Sequence, residues 1–196
     1  MTVTATPLGL EAFLAHTQAL DVCYELENGE LLEMPPESDL NQRIASGLFA
    51  YFLRQGVAPE HLRMKTEIVV MGTRATVRVP DLMVLSAELA TALAGATRST
   101  VALDMPPPRL VVEVVSPGKK NVNRDYRYKR SQYEARGIDE YWIVDPMAQR
   151  VTVLTRIEGL YESAVFEGTA TILSPYLSER AAEHRPTVAQ VLQTQS

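Results

Sequence analysis

Apolar positions along this chain change period several times, and each change marks an element. Residues 9–16, GLEAFLAH, place their apolar side chains on one face of a short helix. In YELENGELLEM two short runs flank Asn28-Gly29. That pair tolerates the two positive φ values of a type I′ turn, so a β-hairpin is predicted. Ser38 and Asp39 then offer caps for a helix running to about Gly56, with Ile44, Leu48, Tyr51 and Phe52 recurring three or four apart. Residues 65–85 are strand material: KTEIVVM, a turn at Gly72, RATVRV, then Pro80-Asp81 and LMVL. Residues 86–104 have the composition of a short helix, and Pro106, Pro107 and Pro108 make a stiff extended lead-in.

LVVEVV, residues 110–115, shows no alternation and is almost wholly β-branched, as expected of a central strand covered on both faces. Glu113 is its one charge. After Ser116-Pro117-Gly118 a basic stretch turns into a helix from about Asn123 to Arg136, ended by Gly137 as a left-handed cap. EYWIVDP, residues 140–146, reads as a second buried strand, and VTVLTR with YESAVF around Glu158-Gly159 as a closing hairpin. Residues 173–196 carry no clear pattern. The order predicts one α/β domain over residues 1–196, with a mixed β-sheet flanked by helices and an N-terminal hairpin.

Composition narrows the classes. At 196 residues, 46% hydrophobic and 22% charged, the chain is of ordinary globular make-up, which excludes disorder, collagen and disulfide scaffolds. Cys23 is its only thiol, so an intrachain disulfide and multi-cysteine metal sites are excluded, and a reducing compartment is the natural setting. His16, His61 and His184 are too scattered for a zinc motif. No apolar stretch approaches bilayer length and the start MTVTATPLGLEAFL lacks the features of a signal peptide, so a cytoplasmic protein without a membrane partner is expected. The net charge of −5 argues against bulk attraction to nucleic acid. It is uneven, however. Residues 119–130, KKNVNRDYRYKR, hold six basic side chains against Asp125 alone, a local +5 that leaves −10 for the remainder. With Tyr126 and Tyr128 interleaved, Lys119, Lys120, Arg124, Arg127 and Arg130 form a candidate nucleic-acid contact, the plain alternative being a solvated helix face.

An ionised carboxylate inside an apolar strand needs a cation or a proton, because unpaired burial costs several kcal/mol. Glu113 shares its strand face with Val111 and Val115, and Asp81 stands at a bend whose direction Pro80 fixes. If those strands are neighbours, Asp81 and Glu113 converge. Two such carboxylates, with the main-chain carbonyl of Val114, suit Mg²⁺ or Mn²⁺. Such an ion polarises a phosphate and activates water as a nucleophile. Other acids have plainer readings. Asp125 four residues before Lys129 is also the orientation of a surface helix pair worth a few tenths of a kcal/mol. Glu67 reads as an outer metal contact or, more plainly, as a residue facing solvent or making a structural hydrogen bond, and Asp145 as a turn former. Tyr133 and Trp142 read as core.

Taken together, Pro80-Asp81, Glu113-Val114-Val115-Ser116-Pro117, Asp125-x-x-x-Lys129-x-x-x-Tyr133, Gly137 and Glu140-Tyr141-Trp142-Ile143-Val144-Asp145-Pro146 resemble the Uma-type restriction endonuclease family, a branch of the PD-(D/E)XK nuclease superfamily. YELENGELLEM and the helix start at Asn41-Gln42-Arg43-Ile44 extend the resemblance over roughly residues 8–160. It implies a restriction-endonuclease-like core over about 8–165 with a C-terminal extension over 166–196. It also implies a Mg²⁺-dependent endonuclease that hydrolyses DNA, with no small-molecule cofactor beyond the metal. Asp81 and Glu113 would hold the metal, and Lys129 would supply the lysine that the superfamily places two residues after the glutamate, where this chain has Val115. Asp125, Tyr133 and Glu67 are secondary candidates. Asn41 departs from the histidine frequent in the family. A C₂ homodimer is expected because two cuts need two sites. The alternative is a nuclease-fold nucleic-acid-binding or protein-interaction module without turnover, for which Val115 speaks. A glycosidase using Asp81 and Glu113 ranks far below, since one Trp offers little sugar stacking.

Overall fold

The computed structural model describes residues 6–18, 20, 22–179 and 185–193, so His184, the first five residues and parts of the C-terminal extension lie outside the described residues. Helix α1 (Leu10–Thr17) leads into the hairpin of β1 (Tyr24–Glu27) and β2 (Glu30–Glu33), with Asn28 at φ 51° and Gly29 at φ 87° as a type I′ turn requires. The turn is docked as well as closed. Asn28 Oδ1 accepts from Thr73 N at 3.1 Å, and Gly29 N donates to Ala75 O at 2.9 Å. Helix α2 (Asp39–Arg54) starts at Ser38, whose hydroxyl accepts from Asn41 N, and its face of Ile44, Leu48 and Phe52 is buried. Each such side chain contributes roughly 1.5–3 kcal/mol.

The remaining elements are β3 (Leu62–Arg63), β4 (Glu67–Val70), β5 (Thr76–Arg78), β6 (Leu82–Val84), α3 (Ala87–Leu93), β7 (Thr100–Val101) and β8 (Leu110–Val114). After them come α4 (Lys119–Asn123), a π-helical stretch (Arg124–Lys129), α5 (Arg130–Arg136), β9 (Glu140–Asp145), β10 (Arg150–Ile157), β11 (Leu160–Glu167), α6 (Pro175–Glu179) and α7 (Val188–Val191). Among the described residues the strands form two mixed sheets, β2-β1-β5-β4-β7 and β11-β10-β9-β8-β6-β3. The single sheet expected from the strand order is therefore corrected to two. Val79-Pro80-Asp81 carries the chain from β5 in one sheet to β6 in the other, and Pro80 has no N–H with which to continue a ladder.

The six-stranded sheet is covered on both faces, as the uninterrupted apolar sequence of β8 requires. Leu110, Val112 and Val114 point to α2 and the C-terminal helices, in one core with Phe52, Trp142, Tyr176 and Leu177. Val111 and Val115 point the other way, into a core that also takes Ile68 and Val70 of the first sheet, Tyr133 of α5 and Tyr141. This second face is the one that carries Glu113. The C-terminal residues, patternless in the sequence, close the first core, and buried Glu140 ties them down by accepting from Ser174 Oγ at 2.5 Å and Tyr176 N at 3.0 Å. Among the described residues no helix is long and apolar enough to cross a membrane.

Candidate functional site

Strands β6 and β8 are antiparallel neighbours, with Leu82 opposite Val112. That register puts Asp81 across from Glu113, the strand neighbourhood that convergence of the two requires. Val114 N donates to Asp81 Oδ2 at 2.6 Å, which fixes the aspartate at the strand junction. Both carboxylates are about 95% buried. The Val114 carbonyl accepts a long 3.4 Å contact from Asn41 Nδ2. Asn41, where the family often has histidine, thus reaches the carbonyl proposed as a third oxygen.

The helix after β8 begins earlier than expected, at Lys119, with Gly118 at φ 110° before it, and its middle is π-helical. π-turns are rare and frequent at functional sites, and local sequence gives no signal for one. The consequence is that Asp125 and Lys129 both point inward, 3% and 2% exposed, which overturns the surface-pair reading. Lys129 Nζ lies 2.8 Å from Glu113 Oε1 and 3.5 Å from both Glu25 and Asp125. Tyr133 is core, as read, but its hydroxyl also donates to Glu113 Oε1 at 2.6 Å. Val115 packs in the apolar core on the same face as Glu113, so the ammonium near that glutamate comes from the helix.

Several residues of this cluster escaped the sequence reading. Glu25 of β1 and Arg78 of β5 are both fully buried, with Arg78 Nη1 2.9 Å from Glu25 Oε2 and Arg78 Nε donating to Gln132 at 2.9 Å. Val79 N also donates to Glu25, at 3.2 Å. The available signal was Arg78 in the apolar run TVRVP, a buried-strand charge like Glu113. Lys65 was missed too: its Nζ contacts Glu37 and lies 2.5 Å from Asp81 Oδ1. Glu67 is not at the site in any chemical sense, because Arg98 and Thr100 occupy its carboxylate. Asp145 accepts from Ala148 N as a turn former does.

Six carboxyls and four cations thus meet in two sets of ion pairs, Lys65 with Glu37 and Asp81, and Lys129, Arg78 and Arg124 with Glu25, Glu27, Glu113 and Asp125, which feel each other through the charges of Asp81 and Glu113. Fully ionised, the cluster would carry two surplus negative charges. Its acids register that surplus. Burial, and then the charges of Asp81, Asp125 and Glu25, push Glu113 up to about 8 despite Lys129. Burial and Asp81 likewise raise Glu37. Burial works against the Asp81 anion as well, but contacts with Glu37, Lys65 and Val114 N–H hold it below the usual carboxylate range. Glu25 is driven down to about 2, since Lys129 and Arg78 outweigh its burial. Asp125 Oδ1 is buried without a hydrogen bond from the described residues.

A divalent cation fits this donor set: hard oxygens, a two-charge deficit, and a centre that keeps several waters and so needs few protein ligands. Among the described residues no group of three His, Cys, Asp or Glu side chains is poised to hold an ion. Asp81 and Glu113 would have to be completed by the Val114 carbonyl and water.

On the far side of Lys65 from Asp81 opens a cleft of about 490 Å³ whose walls include Lys65, Glu37, Glu33, Ser116, Asn121 and Arg124; Asp81 and Glu113 are not among its lining residues. Of the five basic residues proposed for nucleic acid, Arg124 lines it. Lys119, Lys120 and Arg127 are exposed on the same helical segment, whereas Arg130 is turned to the Tyr161 carbonyl at 3.2 Å. Lys129 and Asp125 are both buried and cancel, and the exposed charge of the segment is that of Lys119, Lys120 and Arg127, with Arg124 at the cleft.

The sequence matches the Uma2 family, described as putative restriction endonuclease, over residues 10–183. The chain belongs to this family. The Uma2 match spans both sheets and every residue of the cluster above. A crystal structure of a putative nuclease belonging to DUF820 from Anabaena variabilis superposes with a TM-score of 0.68 at 18% identity, over 95% of this chain and 98% of that one. At that identity the likeness establishes the restriction-endonuclease-like fold of this Uma2 chain. No curated protein matches it.

Proposed function

We propose that this chain is a Mg²⁺- or Mn²⁺-dependent endonuclease acting on DNA. The observation that carries the reading is the pair Asp81 and Glu113, opposed across neighbouring strands among acids that, fully ionised, outnumber the nearby cations by two, with Lys129 Nζ 2.8 Å from Glu113. When bound, a divalent cation would polarise the phosphate and supply a nucleophile at neutral pH. The protein's own groups do the positioning. The Val114 N–H orients Asp81, Tyr133 and Lys129 fix Glu113, and the Glu25–Arg78 pair fixes Lys129 in turn. Membership of the Uma2 family supports hydrolysis of nucleic acid, and the exposed basic segment supports a phosphate backbone as the partner. The reading without turnover rested on Val115, and Lys129 weakens it by reaching Glu113 from the helix. Two-strand cleavage by one site per chain favours a homodimer, which sedimentation would reveal.

The test is cleavage of a mixed panel of supercoiled, linear and branched DNA in Mg²⁺ and in EDTA. Wild type should cut only with the cation, and Asp81→Asn, Glu113→Gln and Lys129→Met should each lose roughly 10²-fold or more in kcat. DNA binding without any cleavage, or equal cleavage by the variants, would refute the assignment.

A further inference from the structure

Lys129 faces the carboxylates and not the cleft: its ammonium lies 2.8 Å from Glu113 and 3.5 Å from both Glu25 and Asp125, and it is not part of the cleft wall. It is also 2% exposed. Lys65 is differently placed. It sits at the bend between β3 and β4 with φ 52°, in the left-handed region that L side chains rarely adopt, and from there reaches across to Asp81 Oδ1 and Glu37. Its side chain is 42% exposed and forms part of the cleft wall, as do Arg124 and Asn121. Of the two lysines within reach of the carboxylates, only Lys65 opens on the space a substrate would enter.

Its present partner is informative. Val114 N–H occupies one oxygen of Asp81, so Lys65 holds the other, the oxygen Asp81 would offer to a cation. We propose that Lys65 is the phosphate-contacting lysine of this site: it holds the cation position on Asp81 in the free protein and, once a divalent cation is bound there, turns into the cleft to bind the scissile phosphate with Arg124. This rests on the reading of Asp81 and Glu113 as a metal site. Like charge then drives Lys65 off Asp81, and a phosphate in the cleft competes with Glu37, its other partner, to receive it. Lys65 thereby links loading of the metal to readiness for substrate, while Lys129 serves as a positioning residue for Glu113.

Two measurements besides activity test this. Mn²⁺ binding to the DNA-free protein, by titration calorimetry, should be several-fold tighter in Lys65→Met than in wild type, because Asp81 no longer holds an ammonium. Binding of DNA in Ca²⁺, measured against salt, should show a log–log slope shallower by about 1 in the variant, the loss of one phosphate contact. In Mg²⁺ its kcat should fall roughly 10²-fold. Lys65→Gln, which keeps a donor for Asp81 and Glu37 without the charge, should reproduce the slope change and guards against misfolding of the methionine variant. A Lys65 that is only a counter-ion of Asp81 would leave slope and kcat at wild-type values, and that result overturns the proposal while sparing the metal site. Wild type that neither binds Mn²⁺ nor cuts DNA would overturn the metal reading, and this inference with it.

Discussion

Replacing Glu25 by alanine should destabilise this protein more than any substitution on the outer face of the same hairpin. The carboxylate is fully buried and accepts from Arg78 Nη1 at 2.9 Å and Val79 N at 3.2 Å, with Lys129 Nζ at 3.5 Å. Two routes give the size of the loss. Removing one partner of a buried ion pair costs about 3–5 kcal/mol, because the other charge stays buried. Independently, a carboxyl held at about 2 against an ordinary 4.5 corresponds to about 3 kcal/mol at neutral pH. For a chain of this size the melting temperature should drop by roughly 6–20 °C. The pH dependence has a definite sign. The folded value lies below the unfolded one, so the stabilisation is complete above about pH 4.5 and is lost as pH falls through about 2. Urea unfolding of wild type and Glu25→Ala at pH 7 and pH 3, with exposed Glu30→Ala as control, would measure this. A loss under about 1 kcal/mol at pH 7, or a gap between the two proteins that does not narrow at pH 3, would refute the network as described.

Glu113→Gln should behave in the opposite sense. The glutamate is held up to about 8, so its contribution to stability is present below about pH 4.5 and fades as pH rises to about 8. Thermal melts of metal-free protein should therefore show the glutamine variant gaining on wild type between pH 5 and pH 9, although it no longer cuts DNA. Added Mg²⁺ should raise the melting temperature of wild type and not of Glu113→Gln, since a ligand that binds only the folded state stabilises it by mass action. Glu67→Ala, which strands Arg98 and Thr100, should cost roughly 1–2 kcal/mol in denaturant and leave kcat unchanged. Neutralising Lys119, Lys120 and Arg127 together should lower the salt slope of DNA binding by about 3, whereas Arg130→Ala, whose guanidinium is turned to Tyr161, should leave it nearly as it was.

Local rules carried much of this protein into view. Asn28-Gly29 specifies its turn because few other pairs accept two positive φ values, Ser38 specifies the start of α2, and the unbroken apolar run around Glu113 specifies a strand with cover on both faces. That run also exposed Glu113 as chemistry, since a charge among β-branched neighbours is conspicuous in one dimension. Other features depended on which segments meet. Period two says which face of a strand is apolar and nothing of its neighbour, so the division into two sheets at Pro80 was invisible. Asp125 and Lys129 look alike in sequence whether solvated or sealed in a core, and the π-helical stretch that turns both inward leaves no local trace. Glu25, Arg78 and Lys65 join the site from segments up to about a hundred residues from Lys129. The reason is electrostatic: what a charged residue does depends on the dielectric and the partners around it, and both come into being only when the chain packs.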